Sequence, residues 1–282
     1  MYKYVDNHAH LNLSAYNEDR EETIKRAKDS GVLVINVGTQ KDTSKKAVEI
    51  AEKTDNCFAI VGLHPVHTSR SFHDEQELGE GGKEFTSRGE IFDYEYYKKL
   101  CESPKVVGIG ECGLDYYRGQ SQESGDMNEK IEKQKDAFRK QIELAIEVKK
   151  PLMLHIREAY KDALEILTQN SKLKTLTYPG NVHFFAGTLE EVKEFLNLGF
   201  TISFTGVITF AKQYEELVKF VPLEKMLSET DCPYVAPSPY RGKRNESLYV
   251  IEVIKKIAEI KQLPFDQVAL QLRENSKKLW GI

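Results

Sequence analysis

Short apolar runs alternate with longer amphipathic stretches along most of the chain. The runs have the length of buried strands, and the stretches repeat apolar residues at helical spacing. Strict alternation of the two predicts a parallel, right-handed α/β fold, and eight repeats predict a (β/α)₈ TIM barrel. The predicted strands span residues 3–6, 32–37, 58–63, 106–109, 152–155, 181–184, 201–204 and 226–229.

The amphipathic stretches predict the helices that cover this barrel. Gly31 and Gly199 follow two of them, at the position where a left-handed residue ends a helix. Residues 248–260 and 265–279 predict two extra C-terminal helices. A doubly wound open sheet is the alternative, but no GxGxxG motif opens a helix after the first strand. The other predicted helices span residues 20–30, 45–53, 131–149, 158–168, 189–198 and 213–221.

Two polar stretches, residues 68–90 and 118–128, interrupt the alternation. Both follow predicted strands and would therefore lie on the catalytic face of a barrel, where long loops often act as lids. Insertions without a function are the alternative interpretation. Since neither a repeat nor a linker divides the chain, we expect one domain over residues 1–282.

The composition narrows the possible environments and partners. Four cysteines without a CxxC pair are typical of a reducing, intracellular compartment. The N-terminus lacks a signal-peptide pattern, and no apolar run is long enough for a membrane span, so we expect a cytoplasmic protein, with nuclear entry as an additional possibility. The net charge of −4 excludes a broad basic DNA-wrapping surface. A nucleic-acid substrate would have to be held by local contacts.

Potential metal ligands follow several of the predicted strands. His8 and His10 form an HxH pair, whose side chains point to the same face of an extended segment. A polar turn could explain that pair alone. The carboxyl ends of barrel strands converge on one mouth, however, and further ligand types occur at four other strand ends. These additional candidates are Glu111, His155, His183 and Asp231.

Four histidines and two carboxylates exceed the three protein ligands of a typical catalytic zinc site. They suit two divalent cations bridged by one carboxylate, and the ligand types are compatible with Mg²⁺, Mn²⁺ or Zn²⁺. Such a pair can activate a water molecule and stabilise the leaving oxygen of a phosphoryl displacement. The residues therefore predict a phosphodiester-cleaving hydrolase.

Groups suited to phosphates and bases accompany this set. Arginine forks match phosphate oxygens, and tyrosine rings offer stacking surfaces for bases. A solvated turn is the alternative for the basic PYRGKRN loop, and packing is the alternative for one of Tyr116 and Tyr117. The predicted substrate contacts are His64, Arg157, Arg241, Arg244 and Tyr116.

Several short motifs are distributed along the chain. They are DNHAHLN at 6–12, GLHP at 62–65, GECGLDYY at 110–117, Gln134 with Phe138 and Gln141, HIR at 155–157, HFFAG at 183–187, SETDCPY at 228–234 and PYRGKRNE at 239–246. With these motifs the chain resembles the TatD family of metal-dependent deoxyribonucleases. The resemblance covers almost the whole chain, and the motifs occur in the order typical of the family.

The resemblance implies a TIM-barrel hydrolase with two divalent cations that acts on DNA, as a 3′–5′ exonuclease on single-stranded or frayed ends. Glu111 and Asp231 are the implied catalytic residues, Glu111 as the bridging ligand and Asp231 as the group that orients or deprotonates the attacking water. DNA is the implied partner, with no membrane and no obligate protein partner. The implied metal ligands are His8, His10, Glu111, His155, His183 and Asp231.

Three departures from the family pattern leave the ligand set intact. The usual HCFS segment reads HFFA from His183, which alters the surroundings of that ligand. The usual NEP reads NES at residues 245–247. Finally, the 68–90 stretch is longer than in compact bacterial members and resembles that of eukaryotic ones.

Two other functions remain alternatives. Related amidohydrolases act on small esters or amides, but they commonly bridge their metals through a carboxylated lysine, whereas Glu111 occupies the comparable position here. A non-catalytic nucleic-acid-binding protein is the other alternative. Such a protein has no need of six convergent ligands.

Overall fold

Eight parallel strands form a nearly closed barrel in the computed structural model, which describes residues 2–73, 85–117 and 127–282. The barrel pairs its strands in the order β1-β2-β3-β6-β7-β8-β9-β10, and β4 and β5 form a separate antiparallel hairpin. The strands are β1 Tyr4–Ala9, β2 Val32–Val37, β3 Cys57–Val61, β4 Arg70–His73, β5 Phe85–Arg88, β6 Val106–Asp115, β7 Leu152–Arg157, β8 Gly180–Val182, β9 Thr201–Phe204 and β10 Met226–Ser228.

Helices alternate with the barrel strands. A capping box begins one of them, since the Thr188 side chain accepts from the Glu191 amide and the Glu191 carboxylate accepts from the Thr188 amide. In the described part of the chain, no helix is both long and apolar enough to span a membrane. The helices are α1 Arg20–Asp29, α2 Lys41–Lys53, α3 Tyr94–Leu100, α4 Met127–Val148, α5 Tyr160–Gln169, α6 Leu189–Asn197, α7 Glu215–Phe220, α8 Val250–Lys261 and α9 Phe265–Trp280.

The structure confirms the predicted barrel and the two extra C-terminal helices, α8 and α9. Three strands are longer than predicted: β6 continues to Asp115 instead of ending at residue 109, β1 continues to Ala9, and β7 continues to Arg157. His8 and Glu111 consequently lie within strands rather than after them. The polar ligand residues interrupt the apolar pattern from which we predicted the strand ends, although all of β6 is buried.

The long polar stretch contains an element that the pattern did not predict. Strands β4 and β5 pair within it, with Arg70 opposite Arg88. Helix α3 was also missed, because at 7 residues it is too short to show a clear helical period. Residues 74–84 and 118–126 of the two predicted lids lie outside the described residues, so the lid interpretation stays a prediction.

The amino end of the barrel is filled by apolar side chains. Inward-facing residues such as Ile35, Ile60 and Met153 form a buried cluster with Trp280 from α9. The Trp280 Nε1 donates to Asn7 Oδ1 at 2.9 Å, which satisfies both groups inside the core. Since helix α9 closes this end, the open end is the carboxyl end, where the ionisable residues lie.

Candidate metal centre

A cavity of about 1060 Å³ opens at the carboxyl ends of the strands. Among the described residues its lining contains two arginines, Arg88 and Arg157, and no lysine. Carboxylates outnumber these cations, so the lining favours cations over phosphates unless a metal compensates for the charge. The lining carboxylates are Glu111, Asp115, Glu158, Glu191 and Asp231.

The seam between β1 and β10 positions the first ligands. The Asp6 carboxylate accepts from the amide and hydroxyl of Thr230 at 2.8 and 2.6 Å, and burial raises the pKa of Asp6 to about 7. The next amide, that of Asp231, donates to the His8 carbonyl at 2.9 Å. These contacts hold the Asp231 carboxylate beside the two histidines of the HxH pair.

His8, His10, Asp231 and one oxygen of Glu111 face a common point. The His8 and His10 Nε2 atoms lie 3.1 Å apart. Their distances to Glu111 Oε2 are 3.4 and 3.6 Å, and those to Asp231 Oδ1 are 3.7 and 3.4 Å. Two nitrogens and two oxygens at this spacing suit a small divalent cation.

The other oxygen of Glu111 faces a second histidine pair. Glu111 Oε1 lies 2.9 Å from both His155 Nδ1 and His183 Nε2, and these two nitrogens are 3.3 Å apart. The Glu111 carboxylate thus divides its oxygens between two groups of donors. The fold brings all six predicted ligands together in the arrangement that a bridging carboxylate requires.

Buried Asp115, which our interpretation of the sequence missed, orients His155. Its Oδ2 lies 2.8 Å from His155 Nε2, while its Oδ1 accepts from Arg157 Nε at 3.1 Å. A carboxylate behind a ligating histidine holds the imidazole and raises its basicity. Asp115 lies four residues after Glu111, and an even spacing along a strand places two side chains on the same face. That spacing was the signal in the sequence that could have identified Asp115.

The remaining histidines differ in their outer partners. His10 Nδ1 lies 2.9 Å from the Val37 carbonyl, and His183 Nδ1 lies 3.3 Å from Glu229 Oε1. Neither this His183 Nδ1 nor the buried Nδ1 of His8 has a partner in full hydrogen-bond geometry among the described residues, but only that of His183 lies within ion-pair distance of a carboxylate. Glu229 was also missed, although it directly precedes the Thr230–Asp231 pair in the SETD segment.

Two glutamines on α4 hold the strand ends that carry these groups. Gln134 bonds the amide and carbonyl of Asp115, each at 2.9 Å. Gln141 bonds the amide and carbonyl of Leu63, beside His64, at 2.8 and 2.9 Å. The spacing of the two glutamines, which contributed to the family resemblance, therefore has a structural role.

His64 occupies a different position from the six ligands. Its Nδ1 accepts from the Val66 amide at 3.2 Å, so the neutral ring carries its proton on Nε2. That Nε2 lies 3.3 Å from Glu111 Oε1 and faces it as a donor. Burial and the neighbouring His155 lower the pKa of His64 to about 4. The ring is thus a neutral donor at the edge of the centre.

The electrostatics of the cluster favour positive charge between the carboxylates. Burial would raise the pKa of Glu111, but His64, His183 and His8 hold it well below its usual range. Burial likewise opposes protonation of His183, yet Glu111 and Glu229 raise its pKa well above the usual value. Asp115 and Glu111 raise the pKa of His155 against the same opposition. A divalent cation would supply the charge that protons supply here.

Two predicted substrate contacts lie apart from the cavity and have other partners. Arg244 binds Asp19 through both terminal nitrogens, at 2.7 and 2.6 Å, and stacks on Tyr16, so its guanidinium is directed away from the cavity. Tyr116 donates its hydroxyl to Asp162 at 2.9 Å and packs against the core. Neither Arg244 nor Tyr116 lines the cavity.

Two neighbouring residues are better placed. Tyr117 lines the cavity with 44% of its surface exposed, and the Arg157 guanidinium stacks on its ring at 4.4 Å. Arg241 lies outside the cavity lining but on the loop after β10, where it stacks on the exposed Phe210 at 4.1 Å. Arg157 and Arg241 therefore stay predicted phosphate contacts.

Comparison with known proteins agrees with this geometry. A family model described as TatD related DNase matches residues 5–281. An uncharacterized metal-dependent hydrolase, YabD of Bacillus subtilis, is 38% identical, with 98% of each chain covered. A protein of Erwinia billingiae named 3′-5′ ssDNA/RNA exonuclease TatD is 32% identical, with 96% of this chain and 97% of that protein covered. The structure of the TatD homologue YjjV from Escherichia coli superposes with a TM-score of 0.80 at 25% identity, covering 99% of this chain and 98% of that one.

Proposed function

This chain belongs to the TatD related DNase family of metal-dependent hydrolases, and we propose that it cleaves phosphodiester bonds of DNA with two bound divalent cations. One observation carries the proposal: the Glu111 carboxylate presents one oxygen to His8 and His10 and the other to His155 and His183. When bound there, two cations supply the charge that stabilises a phosphoryl transition state.

The residues of the chain have separate roles in this mechanism. Asp231 orients the attacking water and accepts its proton, since its carboxylate is ionised: burial would raise its pKa, but His10 and His8 lower it. His64 presents its Nε2–H at the edge of the centre, where it donates to a phosphate oxygen. Arg157, held by Asp115, binds the adjacent phosphate.

The cavity supports an unpaired strand as substrate. Tyr117 offers an exposed ring on which a terminal base stacks, while Arg157 covers part of that ring. The net acidic chain has no groove-reading motif, so we expect little sequence preference. The name of the Erwinia billingiae relative supports a 3′–5′ direction and makes RNA a second substrate to test.

The lining of the cavity also weighs against the amidohydrolase alternative. No lysine lines the cavity in the described part of the chain, so a carboxylated lysine has no place beside the centre. Glu111 would hold the cations instead, through the two oxygens that it presents to the two histidine pairs.

The test compares end-labelled single-stranded DNA, single-stranded RNA, a blunt duplex and a closed circular duplex at equal phosphate concentration, each with Mg²⁺, Mn²⁺ and Zn²⁺. We expect the linear single strand to be shortened fastest, from its 3′ end. Glu111→Ala, prepared in parallel, controls for contaminating nucleases. Cleavage of the closed circle as fast as the linear single strand would contradict the strand-end proposal.

A further inference from the structure

Glu229 is a completely buried carboxylate that follows β10 and faces β8 and β9. Its Oε1 accepts from the Phe184 amide at 2.7 Å, and its Oε2 accepts from the Ser203 hydroxyl at 2.6 Å. Burial of a carboxylate is unfavourable unless hydrogen bonds and a positive partner compensate for the lost hydration. Two neutral donors meet only the first requirement.

The His183 imidazole would meet the second requirement with a cation bound to it, since its ring lies beside Glu229. The Nδ1 of His183 lies 3.3 Å from Glu229 Oε1, and its Nε2 lies 2.9 Å from Glu111 Oε1. The imidazole therefore lies between two carboxylates, one in the metal centre and one behind it. A proton on Nδ1 facing Glu229 leaves Nε2 with a lone pair directed at the centre.

Glu229 also holds the backbone that follows this ligand. Phe184 has a φ of 44°, a left-handed conformation that is disfavoured for a bulky residue. Its amide is the one that bonds Glu229, and its side chain lines the cavity. The Glu229 carboxylate thus contacts both the predicted ligand His183 and Phe184, the next residue, whose side chain forms part of the cavity wall.

We propose that Glu229 is a positioning residue that holds His183 with its proton on Nδ1 and its Nε2 ready for a cation. The inference rests on the proposed two-cation centre and concerns the position formed by Glu111 Oε1, His155 and His183. Partners behind ligating histidines typically change metal affinity about 10–100-fold. His8 faces the other oxygen of Glu111, with its Nε2 3.4 Å from Oε2, and therefore belongs to the other position.

The variant for the test is Glu229→Gln, which keeps the shape and can still accept from Phe184 and bond Ser203, but removes the negative charge. Metal-free protein is titrated with Mn²⁺ by calorimetry and with Co²⁺ by absorption spectroscopy, without any DNA. We expect one binding step to weaken about 10–100-fold and the other to stay unchanged. Glu191→Gln, which removes the charge of a cavity-lining carboxylate that caps helix α6, is the matched control and should bind like wild type.

A double-mutant cycle with His183→Ala separates positioning from general stabilisation. In that background Glu229→Gln should cause no further loss of metal affinity, because the residue it positions is gone. Glu229→Asp, which keeps the charge, should lie between wild type and Glu229→Gln. Thermal unfolding of the metal-free variants shows whether each is folded.

Three results would overturn the inference: unchanged metal binding by Glu229→Gln, equal weakening of both steps, or additive losses in the cycle. Failure of the proposed nuclease has a different signature, because these titrations contain no substrate. If wild type binds a single ion, the two-cation proposal fails, while the coupling of Glu229 to His183 is still measured on that ion.

Discussion

Residues of both the floor and the predicted rim of the cavity were identified from sequence motifs, but the structure agrees with the predicted positions only for the floor. The floor consists of the six predicted ligands, and all six converge. The rim consists of Tyr116, Tyr117, Arg241 and Arg244, of which only Tyr117 lines the cavity. Barrel topology dictates where strand ends meet, whereas local contacts decide where a loop side chain points.

The two regions also differ in the strength of their interactions. Four of the six floor residues are buried and the side chains of His155 and Asp231 are mostly so, so each charge interacts in a low-dielectric environment and depends on its partners. Side chains of the rim are partly exposed, where solvent and salt screen the same charges. We therefore expect the effects of substitution to decrease from the floor to the rim.

The largest effect should follow removal of a floor carboxylate. Glu111→Ala deletes the oxygens shared by both donor groups, and Asp231→Ala deletes the predicted base. We expect each to lower turnover by more than the roughly 10–100-fold typical of residues behind the ligands, with the fold retained. Turnover with excess metal, together with far-UV circular dichroism, measures both properties. Cleavage at the wild-type rate by either purified variant would refute the two-cation mechanism.

Tyr117 and Tyr116 form a matched pair at the boundary between floor and rim. Tyr117→Ala should weaken binding of a single strand by about 1–3 kcal/mol, the usual contribution of base stacking. Tyr116→Ala should leave strand binding unchanged, because its ring packs against the core and its hydroxyl bonds Asp162. Fluorescence anisotropy with a labelled oligonucleotide on Asp231→Ala backgrounds avoids cleavage during the measurement. Equal losses in both variants would contradict the assignment.

Metal binding to the floor should release protons. His183, His155 and His10 have raised pKa values in the metal-free protein, so they hold protons that a cation must displace. The apparent metal affinity should accordingly rise with pH, by about tenfold per unit for each proton released. Calorimetry in buffers of different ionisation enthalpy counts those protons. Affinity independent of pH between mildly acidic and neutral buffers would show that the histidines are already neutral.

The smallest effects should distinguish the two arginines of the rim. Arg241→Ala should weaken DNA binding a few-fold and reduce the salt slope by about one, as expected for one phosphate contact. Arg244→Ala should leave that slope unchanged and slightly lower the unfolding temperature, because Arg244 binds Asp19. A reduced slope for Arg244→Ala alone would reverse the assignment.

The Arg244–Asp19 pair also has a predicted pH dependence. The Arg244 hydrogen bonds lower the pKa of Asp19 from 3.8 to about 2, so Asp19 binds protons less readily when folded. The stabilisation is therefore present above the unfolded pKa near 3.8 and is lost as the pH falls toward 2. Acid unfolding of wild type and Arg244→Ala should converge there. Since both side chains are about a third exposed, solvent screening keeps the difference small.

Part of the fold could be predicted because hydrophobic periodicity is a local property of each segment. The regular alternation of strand and helix segments then indicates the barrel. Strands β2 and β9 have the predicted bounds, and the other barrel strands are shifted, extended or shortened at their ends. The hairpin of β4 and β5 escaped because its stretch lacks an apolar run. A short strand pair on a polar surface does not need an apolar face, so it has no hydrophobic pattern from which it could be predicted.

By itself the sequence determined the barrel and predicted that the six candidate ligands would meet, since parallel strands place their carboxyl ends at one mouth regardless of sequence distance. The partners behind the ligands were decided only by the tertiary structure. Asp115 lies 2.8 Å from His155 across neighbouring strands, and Glu229 lies 3.3 Å from His183. Such contacts depend on strand register and side-chain rotamers, and the opposite directions of Tyr116 and Tyr117 depend on which of them finds a buried partner. A linear pattern contains neither distances between strands nor the packing that selects a rotamer.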